Sequence, residues 1–120
     1  MTDDLKQKIV QMFRHVDAAD WPALTQYFHA DVEYRRPGYA AIRGLPDLLD
    51  FYECRRIIKT GEHRLESMFH DDGGHALSVT GSFRGADREG RPLDVRFCDV
   101  YVFEDEKIIR RETFFSAPAV

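Results

Sequence analysis

The first half of the chain carries apolar residues at helical spacing. Within residues 3–18 they recur every three or four positions, at Leu5, Ile9, Met12, Phe13 and Val16. This spacing places them on one face of a helix. A second helix is predicted over 20–30, because Asp20 can cap it and Pro22 fits its first turn. A third is predicted over 46–58.

The pattern then changes from helical spacing to alternation. A short strand at 32–36 ends at Pro37 and Gly38, and four long strands are predicted at 63–69, 76–84, 93–103 and 107–115. The Asp-Asp-Gly-Gly string at 71–74 is typical of a hairpin turn. We therefore predict a single α+β domain over residues 1–120, with N-terminal helices packed on an antiparallel sheet.

The last predicted hairpin brings an acid and a base together. If residues 104–106 form a three-residue loop, opposed side chains share a face. The pairs on that face are Asp99 with Arg111, Phe97 with Thr113, and Val95 with Phe115. A two-residue turn would instead oppose Asp99 to Glu112, a like-charge pair.

This face is mostly apolar, with Tyr101 beside the acid and the base. Such a surface predicts a ligand pocket with a few polar groups. Because an opposite charge favours the charged form of a carboxyl group, Asp99 is expected to be ionised beside Arg111. The alternative is an ion pair on a sheet edge that water reaches.

Composition narrows the possible partners. The 120 residues carry a net charge of −4, which gives no overall basic field for nucleic acid or anionic lipid. The N-terminal region shows no apolar run typical of a signal peptide or membrane span, so the cytoplasm is expected. The string at 70–75 contains His70 and His75, but turn chemistry explains it better than a metal site. No metal or cofactor is predicted. His15 and His63 are expected at surface or rim positions, and the alternative is that either points into the pocket as an acid or base.

Several local strings occur in a characteristic order. They are Val-Asp-Ala-Ala-Asp-Trp at 16–21, Phe-His-Ala-Asp at 28–31, Ile-Arg-Gly at 42–44 and Asp-Val-Tyr-Val-Phe at 99–103. Together they resemble the nuclear-transport-factor-2-like superfamily, in particular its SnoaL-like and ketosteroid-isomerase-like branches. The resemblance implies a cone-shaped fold with a strongly bent sheet around a pocket, and a homodimer. The superfamily includes isomerases, polyketide cyclases, epoxide hydrolases, dehydratases and non-enzymatic members.

The resemblance also implies individual site positions. Positions that hold an aspartic acid and three tyrosines in the isomerase correspond here to Asp99, Met12, Phe28 and Tyr52. The position of the isomerase's base falls on Tyr34 or Arg35, and since neither is a carboxylate, ketosteroid isomerase activity is not expected. The epoxide-hydrolase relatives carry an acid where this chain has Thr113, with Glu112 one residue earlier.

Two functions are compatible with these residues. The first is an enzyme for cyclisation, isomerisation, dehydration or hydrolysis of a small apolar or aromatic metabolite, with Asp99, Arg111 and Tyr52 as catalytic residues. The predicted ligand contacts are Met12, Phe28, Tyr34, Arg35, Val95, Phe97, Tyr101, Thr113 and Phe115. The alternative is a non-catalytic ligand-binding or dimerisation domain. A homodimer through the outer face of the sheet is expected, because strands 93–103 and 107–115 are apolar on both faces.

Overall fold

The computed structural model describes residues 2–117, and of residue 2 the backbone alone. In chain order the elements are α1 (Thr2–Asp17), a 3₁₀ helix (Pro22–Gln26), β1 (Phe28–Arg35), β2 (Ile42–Arg43), α2 (Leu45–Asp50), a π-helical segment (Phe51–Arg55), β3 (Ile58–His70), β4 (Ala76–Asp87), β5 (Pro92–Glu104) and β6 (Lys107–Phe115). The predicted α+β fold is confirmed.

All six strands form one sheet in the order β2-β1-β6-β5-β4-β3. The four long strands make the predicted antiparallel meander. The sheet as a whole is mixed, because β1 pairs with β6 in parallel. We call the side on which α1 packs the inner face of the sheet, and the opposite side the outer face.

Two predicted helices are shorter than the sequence pattern indicated. The second stops at Gln26 because Phe28 already pairs with Ile108 of β6. The third stops at Arg55, and Ile58 then pairs with Asp87 of β4. Short helices gain little stability by themselves, so strand pairing outweighs the helical pattern at both places.

Glycines in β3 and β4 let aromatic rings lie directly on the backbone. A Cβ atom on Gly61 would fall 2.1 Å from the Phe83 ring, and one on Gly81 would fall 2.3 Å from the carbonyl oxygen of Arg64. The β3–β4 register also shifts between Leu65 and Ser67. Bulges and bare glycines are the means by which strands bend. The bend sets the rings of Phe83 and Phe97 against the interior.

The core fills the space between α1 and the inner face. Ile9 and Met12 of α1 have no exposed surface, and Phe13 packs against Phe97 with ring centroids 5.7 Å apart. Within residues 2–117, no helix is both long and apolar enough to cross a membrane.

Candidate functional site

The hairpin between β5 and β6 sets the geometry of the site. Its turn has two residues, Asp105 and Glu106, with φ of 53° and 63°, so Glu104 pairs with Lys107. A bulge then shifts the register between Val102 and Phe103.

As a result the predicted register is wrong by two residues. Asp99 lies opposite Thr113, Phe97 opposite Phe115, and Tyr101 opposite Arg111. A displacement of two residues keeps every side chain on its face. Asp99, Arg111 and Thr113 therefore share the inner face as predicted, and Glu112 lies on the other face.

Asp99 is the acceptor at the centre of the interior. Oδ2 accepts hydrogen bonds from the Tyr101 hydroxyl at 2.6 Å and from Nη2 of Arg111 at 2.9 Å, and Oδ1 accepts one from Thr113 Oγ1 at 2.6 Å. The side chains of Asp99 and Arg111 are 1% and 4% exposed. The alternative of an ion pair reached by water is thus wrong. Both oxygens of the Asp99 carboxyl group therefore accept hydrogen bonds from neighbouring side chains.

Arg111 is enclosed by aromatic rings. Its guanidinium carbon lies 4.6 Å from the ring centroid of Tyr34 and 5.5 Å from those of Phe13 and Tyr101. Burial acts to lower the pKa of Arg111, but the charge of Asp99 and the neighbouring Tyr101, Tyr34 and Tyr52 together outweigh it and raise that pKa well above its ordinary value. Arg111 is a permanent cation, and its Nη1 donates to the hydroxyl of Tyr52.

A second set of hydrogen bonds runs from Arg36 to Asp99. Arg36 Nη1 donates to the Tyr34 hydroxyl at 3.0 Å, and that oxygen lies 2.8 Å from Thr113 Oγ1. The single hydroxyl proton of Thr113 is given to Asp99, so Tyr34 must be the donor to Thr113. Every hydrogen bond in this series is therefore donated in the direction of the Asp99 carboxylate.

A histidine–aspartate pair faces the same interior. His63 Nδ1 lies 2.6 Å from Oδ1 of Asp17, and the His63 amide donates to Oδ2 at 2.9 Å. Phe13 and Phe83 lie against the imidazole at centroid distances of 4.6 and 4.7 Å. Burial lowers the pKa of His63, and the hydrogen bond to Asp17 opposes this only in part. His63 is therefore neutral near pH 7, with its proton on Nδ1 and a lone pair on Nε2.

The sequence favoured surface or rim positions for both His15 and His63, and for His63, which lines the interior cavity, this expectation is wrong. His15 lies instead near Asp20, 3.6 Å away, on the outside of α1. The alternation of β3, which puts His63 on the same face as Gly61 and Leu65, is the signal that separates them. Nothing in the sequence indicated Asp17 as the partner.

The interior holds one small cavity of about 10 Å³. Its polar walls are Arg36, His63, Asp99, Arg111 and Thr113, and Phe97 and Phe115 lie among its apolar walls. A cavity of this size holds about one water molecule. A surface cleft of about 320 Å³ lies next to it, and both are lined by Arg36 and Thr113.

The predicted ligand contacts are divided among several places. Phe97, Thr113 and Phe115 line the cavity, while Tyr34 and Tyr101 belong to the hydrogen-bond network. Val95 is buried opposite Phe83.

Three predicted contacts lie elsewhere. Met12 and Phe28 are buried in the core but do not line the cavity, and Phe28 lies on a strand rather than a helix. Arg35 is exposed and pairs with Glu33. Across residues 2–117, no three His, Cys, Asp or Glu side chains are placed to hold a metal ion. Asp71 instead accepts the amides of His75 and Ala76 within the turn.

Comparison with known proteins adds the following. Residues 9–111 match the family profile described as SnoaL-like domain. No curated protein sequence matches the chain.

Solved structures match over nearly the full chain. An NTF2-like protein of unknown function from Burkholderia pseudomallei is 18% identical, with a TM-score of 0.82 over 93% of this chain and 90% of its own. SalBIII, an epoxide hydrolase/cyclase-like enzyme in pyran ring formation in the polyether salinomycin, is 16% identical, with a TM-score of 0.83 over 97% and 95%. An LEH-like epoxide hydrolase from M. tuberculosis is 14% identical, with a TM-score of 0.81 over 95% and 84%. At these identities the similarity shows the fold alone.

Proposed function

We propose that this chain, which belongs to the SnoaL-like domain family, is an enzyme that transfers protons on a small apolar or aromatic metabolite. The observation that carries the proposal is the pair of Asp17 and His63. It presents an oriented, neutral imidazole to the cavity that Asp99 and Arg111 also line. An imidazole in this state is suited to act as a general base at neutral pH.

The other polar residues of the site, Asp99 and Tyr52, have roles different from that of the base. Asp99 accepts hydrogen bonds from Tyr101, Thr113 and Arg111, and we assign it the role of fixing the cation rather than of accepting a proton. Tyr52 accepts from Arg111, and within residues 2–117 its own proton has no acceptor. Burial raises the pKa of Tyr52, which keeps that proton in place as a donor. Tyr52 does not line the cavity in this structure, so its hydroxyl would donate to an oxygen that gains negative charge once side chains have moved to admit a substrate.

This division suits reactions in which a proton leaves carbon, water or a hydroxyl group while an oxygen gains charge. Isomerisation, cyclisation, dehydration and epoxide opening all meet that description. The fold shared with an epoxide hydrolase/cyclase-like enzyme supports the same class. Entry of a ligand larger than water requires movement at the rim, where Arg36 separates the surface cleft from the cavity.

The proposal can be tested with a model substrate, without knowledge of the natural one. A general base takes the ring proton of 5-nitrobenzisoxazole, the nitrogen–oxygen bond breaks, and a coloured nitrile-bearing phenolate is released. We expect turnover above the buffer rate, and a loss of kcat/KM of at least about 100-fold in His63→Gln. Asp17→Asn should lower the rate as well. His70→Gln, which changes an exposed histidine, is the matched control. A rate that His63→Gln leaves intact contradicts the proposal.

One observation favours a second candidate, a non-catalytic binding or dimerisation domain. The interior is nearly filled by side chains, with a cavity of only about 10 Å³. In that case the wild type would not accelerate the probe reaction, and His63→Gln would change stability alone.

A further inference from the structure

Arg56 is a buried cation for which residues 2–117 offer no counter-charge. The buried charged side chains are Arg36, Arg56, Arg111 and Asp99. Asp99 pairs with Arg111, and Arg36 donates to Tyr34 and makes further contacts. Arg56 is 4% exposed, and no carboxylate of the described residues lies within ion-pair distance of it.

Arg56 is held in place although its charge has no partner. Its amide donates to the Phe51 carbonyl, and its own carbonyl accepts Nε of Arg88 at 2.8 Å. Its guanidinium carbon lies 5.2 Å from the ring centroid of Trp21 and 5.1 Å from that of Tyr52. These two rings stack on each other at 5.3 Å.

One donor of the Arg56 guanidinium lacks an acceptor. Nε is buried, and nothing in residues 2–117 accepts a hydrogen bond from it. Burial lowers the pKa of Arg56, and the charges of Arg36 and Arg111 act in the same direction. A buried charge with an orphaned donor is costly. A side chain that only filled this space could be Leu or Met.

We infer that Arg56 binds a negatively charged group of the substrate, a carboxylate or a similarly acidic oxygen attached to an aromatic or apolar body. The inference rests on the proposed function, because it names the class of molecule on which His63 would act. Tyr52 links Arg56 to the hydrogen-bond network around Asp99. Its ring packs against the Arg56 guanidinium, and its hydroxyl accepts a hydrogen bond from Arg111. Trp21 supplies a flat apolar wall beside the charge.

Binding of matched charged and neutral probes tests the inference. Benzoate is compared with benzamide, and cinnamate with cinnamamide, by calorimetry at constant ionic strength. We expect the wild type to bind each carboxylate about tenfold or more tightly than its amide, the effect of one charged hydrogen-bonded contact. Arg56→Gln should bring the two affinities together. Arg56→Lys, which keeps the charge, should retain part of the preference, and Arg84→Gln, at an exposed site, should retain all of it.

Three results would overturn the inference: equal affinity for carboxylate and amide in the wild type, no binding of any of the four probes, or a preference that survives in Arg56→Gln. A wild type without a carboxylate preference overturns the inference even if Arg56→Gln does not fold, and Arg56→Lys then tests whether a preference depends on this side chain. Turnover of the uncharged nitrobenzisoxazole without a carboxylate preference rejects the anion site and leaves proton transfer standing. A preference that depends on Arg56, without turnover, supports the anion site and rejects the enzyme.

Discussion

The two faces of β5 and β6 differ in which side chains are buried, although they are formed by alternate residues of the same strands. On the inner face, Asp99 and Arg111 are buried polar groups whose hydrogen bonds are satisfied by neighbouring side chains. On the outer face, Val100 and Phe114 are apolar side chains that remain 39% and 49% exposed. Polar groups inside and apolar groups outside reverse the usual distribution. From this difference we propose that the inner face serves chemistry and the outer face association.

The outer face has a group of partly or fully exposed apolar side chains, the outer patch, which we define as Phe69, Cys98, Val100, Val102 and Phe114. Strand register places Phe69 in one row with Ser78 and Val100, and Cys98 next to Phe114. Small polar residues of β4 lie between them. We propose that a second copy of the chain covers this patch, since exposed apolar patches of this kind mark interaction sites.

The largest effect is expected from breaking the inner face. Arg111→Ala leaves Asp99 as a buried charge without its cation, which should lower the free energy of unfolding by about 3–5 kcal/mol. Urea denaturation measures this value. Asp94→Ala, which breaks the exposed pair with Arg84, is the control and should cost less than about 1 kcal/mol. Similar values for both variants would show that the interior pair is not desolvated as described.

The outer face is tested by placing a charge in the patch. Val100→Asp should weaken the dimer about 100-fold, or about 2.7 kcal/mol, because the carboxylate would be desolvated in the interface. Light scattering at micromolar concentration should show a dimer for the wild type and a monomer for the variant. Ile57→Lys alters an exposed apolar residue outside the patch and should remain dimeric. A monomeric wild type removes the proposed association.

A smaller effect is expected from interrupting the hydrogen bonds of the inner face. Thr113→Val keeps the shape but deprives Tyr34 of its acceptor and Asp99 of one donor. We expect a loss of about 1–3 kcal/mol by urea denaturation. Thr25→Val, in which the lost bond is exposed, serves as the comparison. A neutral Thr113→Val would mean that water replaces the hydroxyl.

The smallest effect is a dependence of stability on pH. Because burial lowers the pKa of His63, the unfolded chain takes up a proton at this residue more readily than the folded chain. Its contribution to stability is complete above about pH 6.5, the value of an unperturbed histidine, and is lost as pH falls toward the lower folded value. The slope is at most about 1.4 kcal/mol per pH unit. Unfolding curves between pH 5 and 7.5 should show this slope reduced in His63→Gln, and an unchanged slope would place His63 in solvent.

The sequence predicted the strands well, because alternation is a local pattern. The bounds of β6 agree with the prediction, and the inner position of Asp99, Arg111 and Thr113 follows from the same alternation. The hairpin register could not be predicted. The turn at Asp105 and Glu106 requires positive φ at two residues that rarely adopt it.

The predicted register of the β5–β6 hairpin contained two errors of one residue each. The tighter turn moves the pairing by one residue, and the bulge beyond it moves the pairing by one more in the same direction. Their sum restores the face of every side chain. The site residues of the hairpin were therefore found through a wrong register.

Contacts distant in sequence were out of reach. Asp17 ends α1 and His63 lies on β3, 46 positions later, so no spacing rule connects them. The near-filled interior was also not predicted, because cavity volume depends on how Phe97, Phe115 and their neighbours pack.

The glycines that bend β3 and β4 have a consequence for sequence variation. The ring of Phe83 occupies the space that a Cβ atom on Gly61 would need, at 2.1 Å, whereas a Cβ atom on Gly85 would meet the carbonyl oxygen of Thr60 at 2.1 Å. Gly61 and Phe83 can therefore change only together, and their substitutions are expected to covary among relatives. A relative with alanine at the position of Gly61 should carry a smaller residue at that of Phe83, and with it a wider interior.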